Sequence, residues 1–158
     1  MRREETVDYN FKVTWHAITK MYNAYGAPFD ITASTGFVLL NIDVENGTPA
    51  TKIAPLLGME SRSLTRMLKT FEQKGWIEKR PDPADGRSVR IFLTDLGKEK
   101  RELSRLSVRE FNSKVREAVT DDQLNVFLDV VLKINKIIEN RDLFKQLKNQ
   151  LLNNEQDH

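Results

Sequence analysis

The chain has no cysteine in its 158 residues. That excludes a disulfide framework, a thiolate metal cluster and a thiol-based oxidation sensor. Histidine is almost as scarce. His16 and His158 lie at opposite ends, so no imidazole pair offers metal-ligand spacing. No run of about 18 apolar residues occurs, which leaves no candidate membrane helix. The opening MRREETVDYN lacks the apolar stretch of a signal peptide. These absences suggest a reducing cytoplasm. There is also no glycine-rich phosphate loop and no nucleophile–base pair, so the residues argue against an enzyme and call for no cofactor and no metal.

What is present is charge, unevenly spread. Apolar residues make up 39% and charged residues 30%, a balance that suits a helix-rich chain with a real core. Net charge is +2, yet Lys52 to Arg90 holds nine cations and five anions, an excess of four that leaves the rest of the chain at −2. A cationic middle between neutral-to-acidic ends suits a nucleic-acid-binding module on a separate scaffold.

Periodicity orders the chain. Phe11, Trp15, Ile18, Tyr22 and Tyr25 paint one face of a first helix, which Gly26, Pro28 and Asp30 end. Thr32 caps a second helix carrying Phe37, Leu40 and Val44, stopped by Asn46-Gly47. Thr48 is expected to cap a third, with Pro49 at its first position. Pro55 falls inside that third helix, which must be short, late-starting or bent. After Gly58 a fourth helix runs from about Ser61 to Lys74, with Leu64, Met67, Leu68 and Phe71 on one face. Gly75 suits the left-handed position just past its end, and Trp76 can fold back on Phe71.

Residues 76 to 94 then read as a hairpin. Val89, Ile91 and Leu93 alternate with Ser88, Arg90 and Phe92, the period of a half-buried strand. Pro81, Asp82, Pro83, Asp85, Gly86 and Arg87 build a projecting tip. A fifth helix opens at Thr94-Asp95. Thr120 to Gln123 has the spacing of a capping box for a sixth, and Asn140-Arg141-Asp142 interrupts it before Leu143, Leu147 and Leu151 resume the stripe. The last residues, ending in His158, read as a frayed end.

The fold expected is mainly α with a two-stranded β wing. Residues 31–94 would form a winged helix-turn-helix DNA-binding domain, and 1–30 with 95–158 a helical dimerisation region. At the start of the fourth helix, Ser61, Arg62, Ser63, Thr65 and Arg66 leave only hydroxyls and guanidiniums facing outward, with Lys69 one turn on. Hydroxyls bond phosphates or base edges, and arginine grips guanine with two bonds. Arg87 and Arg90 supply cations on the wing. Asp85, repelled by phosphate, is expected to hold the Arg87 guanidinium instead.

At these residues the sequence resembles the MarR (multiple antibiotic resistance regulator) family. Asp85-Gly86-Arg87-Ser88-Val89-Arg90-Ile91-Phe92-Leu93-Thr94 follows that family's wing pattern, D-x-R-[SA]-x-x-[VI]-x-L-T, and residues 56–80 resemble its recognition helix and first wing strand without a gap. The resemblance implies a homodimeric regulator of double-stranded DNA with an inverted-repeat operator, commonly a repressor released by a small hydrophobic or phenolic effector. It also implies groove contacts by Ser61, Arg62, Ser63, Thr65 and Arg66, and a wing-tip contact by Arg87. An effector pocket would fall near Trp15, His16, Tyr22, Tyr25 and Phe37, although such a stripe equally serves as core or dimer interface. Thr35-Gly36 and Glu60 depart from the family's usual residues. Two rivals stay open at this point: a winged-helix module that binds a protein partner, and a DNA regulator with a filled core and no effector.

Overall fold

Why each helix starts and stops is visible in its caps. The computed structural model describes residues 1–140 and 142–154, with the side chains of 151, 153 and 154 left aside. The expectations for Arg141, the Leu151 side chain and the frayed end with His158 therefore lie outside the described residues. Helix α1 spans Val7–Gly26, α2 Ala33–Leu40, α3 Ala50–Leu56, α4 Ser61–Gln73, α5 Asp95–Ala118, α6 Asp121–Glu139 and α7 Lys145–Asn154. Strands β1 (Thr48–Pro49), β2 (Ile77–Pro81) and β3 (Val89–Leu93) form an antiparallel sheet in the order β1-β3-β2. The chain groups into two compact units, residues 1–110 and 111–158.

The sheet has three strands where two are expected. Thr48 pairs with Ile91 and Pro49 with Arg90, so both belong to an edge strand rather than to the start of α3. Proline is tolerated at an edge because the ladder there does not require its missing N–H. Thr48 accordingly does not cap α3. Its hydroxyl accepts from the Asp43 backbone N–H at 2.9 Å and donates to the Asn41 carbonyl at 3.2 Å, closing the turn after α2. α3 is short, as its internal Pro55 requires, and the chain turns into α4 through a Met59 N–H bond to the Ala54 carbonyl at 3.0 Å.

In the first unit, Val38, Leu39 and Ile42 meet Ile53 of α3, Leu64, Leu68 and Phe71 of α4, and Trp76, Ile77, Ile91 and Leu93 of the hairpin. The α4 exit shows how sequence sets this packing. Gly75 takes a φ of 68°, the Trp76 N–H reaches back to the Phe71 carbonyl at 2.8 Å, and the two rings lie 5.1 Å apart. The reversal satisfies the last carbonyls of α4 and starts β2 from a buried indole.

Thr32 caps α2 by accepting the Thr35 N–H. In the second unit Thr120 and Gln123 cap α6 reciprocally, at 2.9 and 3.2 Å. α6 ends at Glu139, where the interruption is expected. Val126, Phe127, Ile137 and Ile138 of α6 and Phe144 and Leu147 after it are exposed.

Candidate nucleic-acid interface

α4 is sharply two-faced. Leu64, Leu68 and Phe71 are buried, while Ser61, Arg62, Ser63, Thr65, Arg66 and Lys69 are exposed. Arg62, Arg66 and Lys69 sit at i, i+4 and i+7, so the three cations line one stripe. Among the described residues none of their side chains has a hydrogen bond or ion pair. Glu60 precedes the helix without a side-chain cap bond, leaving the first-turn N–H groups with no side-chain partner. Free N–H groups and the positive end of the helix dipole favour anions there. The Thr65 hydroxyl donates to the Ser61 carbonyl at 2.9 Å, which leaves its lone pairs outward.

The wing tip is built by backbone bonds. Asp82 N–H reaches the Ser88 carbonyl at 2.9 Å, and Ser88 N–H the Asp85 carbonyl at 2.8 Å. Asp85 is not where the sequence suggests. Its Oδ1 accepts the backbone N–H of Arg87 at 3.0 Å instead of holding the guanidinium, because a carboxylate folding onto the residue two positions on closes an Asx turn. The Arg87 side chain is exposed and unpartnered among the described residues.

Arg90 also differs from the sequence expectation of a DNA-facing cation. Its guanidinium is half-buried and bound to Asp82, which is only 4% exposed. The partner that sequence reasoning missed is therefore Asp82, read there merely as a turn residue. The one available signal is its distance of eight residues from Arg90, across a hairpin tip.

Pairing sorts the cationic middle of the chain. Lys74 bonds Asp30, Lys79 bonds Glu72, Arg80 bonds Glu78 and Arg90 bonds Asp82. Lys52, Arg62, Arg66, Lys69 and Arg87 have no carboxylate partner among the described residues. The excess charge thus resides on α3, the outer face of α4 and the wing tip.

Away from this surface, α1, α2 and α5 enclose a small apolar cleft of about 20 Å³, room for about one water. Of the aromatic residues singled out in the sequence, Tyr22, Tyr25 and Phe37 line it. Trp15 does not, stacking outside on Phe37 at 5.7 Å, and His16 is exposed on α1. Leu103, Ser104, Ser107 and Val108 of α5 complete the wall, and no periodicity near α1 could have announced them. Burial raises the pKa of the Tyr22 phenol, which stays neutral near pH 7. No group of three or more His, Cys, Asp or Glu that could hold a metal occurs among the described residues, and none of their helices is long and apolar enough to cross a membrane.

A short helix, a tight turn, a second helix with a cationic outer stripe and an antiparallel hairpin define a winged helix-turn-helix protein. The MarR family's sequence model matches residues 31–89. An HTH-type transcriptional regulator, SarZ of Staphylococcus saprophyticus, is 32% identical over 120 residues, covering 73% of this chain and 82% of SarZ. The chain belongs to the MarR family. The S. aureus MepR–DNA complex superposes with a TM-score of 0.76 at 21% identity, covering 83% of this chain and 97% of MepR. A mutant MarR from E. coli complexed with operator DNA gives 0.71 at 26% identity, covering 81% and 92%.

Proposed function

We propose that the protein is a dimeric, sequence-specific DNA-binding repressor that acts in the cytoplasm and is relieved by a small hydrophobic or phenolic ligand. The observation that carries the reading is the segregation of the unpaired cations. Lys52, Arg62, Arg66, Lys69 and Arg87 gather on the helix-turn-helix and wing tip, while neighbouring cations are neutralised by carboxylates. Residues 31–94 form the DNA-binding region. In it α4 enters the major groove, with Arg62 and Arg66 nearest bases or phosphates. The wing lies along the adjacent minor groove, where a narrow A·T-rich segment attracts Arg87. MepR and MarR bound to DNA support the same use of the fold here.

Dimerisation fits the apolar side chains that α6 and the following segment leave exposed, among them Phe127, Ile138 and Phe144. Two lobes about a two-fold axis call for inverted half-sites roughly one helical turn, about 10 base pairs, apart. The cleft bounded by Tyr22, Phe37 and Ser104 is the effector site of this reading. A ring-sized ligand exceeds its present volume, so binding must spread α2 from α5 and disturb the DNA-reading lobe.

Fluorescence anisotropy with duplexes enriched by selection tests the proposal. Affinity should fall steeply and linearly on a logarithmic salt scale, because phosphate contacts release counterions. Failure to enrich any sequence, or binding indifferent to salt, would overturn it.

A further inference from the structure

Asp82 is a carboxylate with almost no exposure in a loop that otherwise projects into solvent. Burying a charge is costly unless it is paired and fully hydrogen-bonded. Here both conditions are met. Oδ2 lies 3.1 Å from Nε and 3.1 Å from Nη2 of Arg90, and Oδ1 accepts the Ala84 N–H at 2.9 Å. Nη1 of Arg90 turns the other way, donating to the Asn46 carbonyl at 3.1 Å and that of Gly47 at 3.4 Å. Those carbonyls belong to the turn that enters β1 and α3. One guanidinium therefore ties the wing tip to the helix-turn-helix. Strand pairing alone does not do this, since the β2–β3 ladder ends at Pro81 and Val89, leaving residues 82–88 beyond it.

We infer that Asp82 and Arg90 are positioning residues that aim Arg87 at the minor groove and fix its distance from α4. The inference rests on the wing contact proposed above. Arg90 acts on DNA through Arg87 and makes no contact of its own, and the fork is essential because Nε and Nη2 face the carboxylate while Nη1 faces the carbonyls, a span that the single nitrogen of an ammonium does not bridge.

The test uses the full-length protein and the selected duplex, titrated by anisotropy at several salt concentrations. Asp82→Asn removes a negative charge close to DNA, and simple electrostatics would make binding tighter. The brace demands the reverse: a loss of about tenfold, with the salt slope flattened by about one unit for each Arg87 that leaves the DNA. Arg90→Lys preserves charge and should show the same loss. In an Arg87→Ala background neither change should weaken binding further. Hydroxyl-radical footprints should lose minor-groove protection beside the half-site, while protection of guanine N7 from dimethyl sulfate in the major groove should persist.

Asp82→Asn binding as tightly as wild type or tighter, or Arg90→Lys matching wild type, overturns the inference. So do losses that add to that of Arg87→Ala, which would make Arg90 a DNA ligand itself. If Asp82→Asn fails to fold, Arg90→Lys decides alone. If Arg87→Ala binds like wild type, the brace has no contact to aim and falls with the wing contact, whereas operator selection and the effect of Arg66→Ala report on DNA recognition separately.

Discussion

Gly97→Ala sets two effects of opposite sign against each other in the first turn of α5. Helix propensity favours the change, by up to about 1 kcal/mol. Packing opposes it. A Cβ at Gly97 would overlap the Trp76 carbonyl oxygen, with the Trp76 carbonyl carbon 2.9 Å away and Leu93 Cδ2 3.3 Å away. The obstacle is backbone, and it is pinned. Thr94 N–H bonds that same carbonyl at 3.1 Å, the Thr94 hydroxyl donates to the Gly75 carbonyl at 2.6 Å, and Gly97 N–H bonds the Thr94 hydroxyl at 3.0 Å. Relief thus requires α5 to move away from the end of α4 and from Trp76 in the core. Overpacking of this kind costs about 1–3 kcal/mol and more where nothing yields, so a net destabilisation of about 2 kcal/mol is expected. Urea unfolding followed by far-UV circular dichroism, at one fixed protein concentration, measures it. A variant as stable as wild type, or stabilised by the propensity gain, would refute the reasoning.

Three further outcomes are expected. Removal of residues from Asn140 onward should weaken or abolish dimerisation; sedimentation showing a stable dimer that still binds DNA tightly would contradict it. Gly36→Ala places a Cβ 3.1 Å from Ser104 Oγ inside the cleft, so it should lose the response to a hydrophobic phenol while retaining DNA binding; an unaltered ligand response would move the effector site elsewhere. Asp43 has its pKa lowered by the Asn46 and Glu45 backbone N–H groups. Its contribution to stability is therefore present above the unfolded-state value and lost as pH falls through the folded-state value, and Asp43→Asn should flatten the acid limb of the stability curve.

Most of the winged lobe is legible in the sequence because its signals are local. Gly75 between Phe71 and Trp76 announces the end of α4, alternation from Val89 to Leu93 announces β3, and Thr32 and Thr120 announce caps. What could not be read depends on distant partners. Thr48-Pro49 has too few residues for a period, and becomes a strand only because β3 offers an edge. The Asp82–Arg90 pair forms only once the hairpin closes. Ser104 and Ser107 join Tyr22 and Phe37 from another region of the chain. Helical spacing selects the face of α1 but not which stretch of it is covered, and Trp15 on that face is 53% exposed.

Arg66 lies at the middle of the free cationic stripe and Arg87 at the free end of the wing, so alanine at each divides the proposed interface into its two halves. Titrating both variants against wild type from low to high salt, on the selected operator and its single-base variants, tests DNA recognition most directly. Arg66→Ala should cost roughly 1–3 kcal/mol, concentrated at particular operator positions, and Arg87→Ala should weaken binding to all operators with a salt slope flatter by about one unit for each Arg87 removed. Curves for both variants that overlay wild type at every salt concentration would contradict the account.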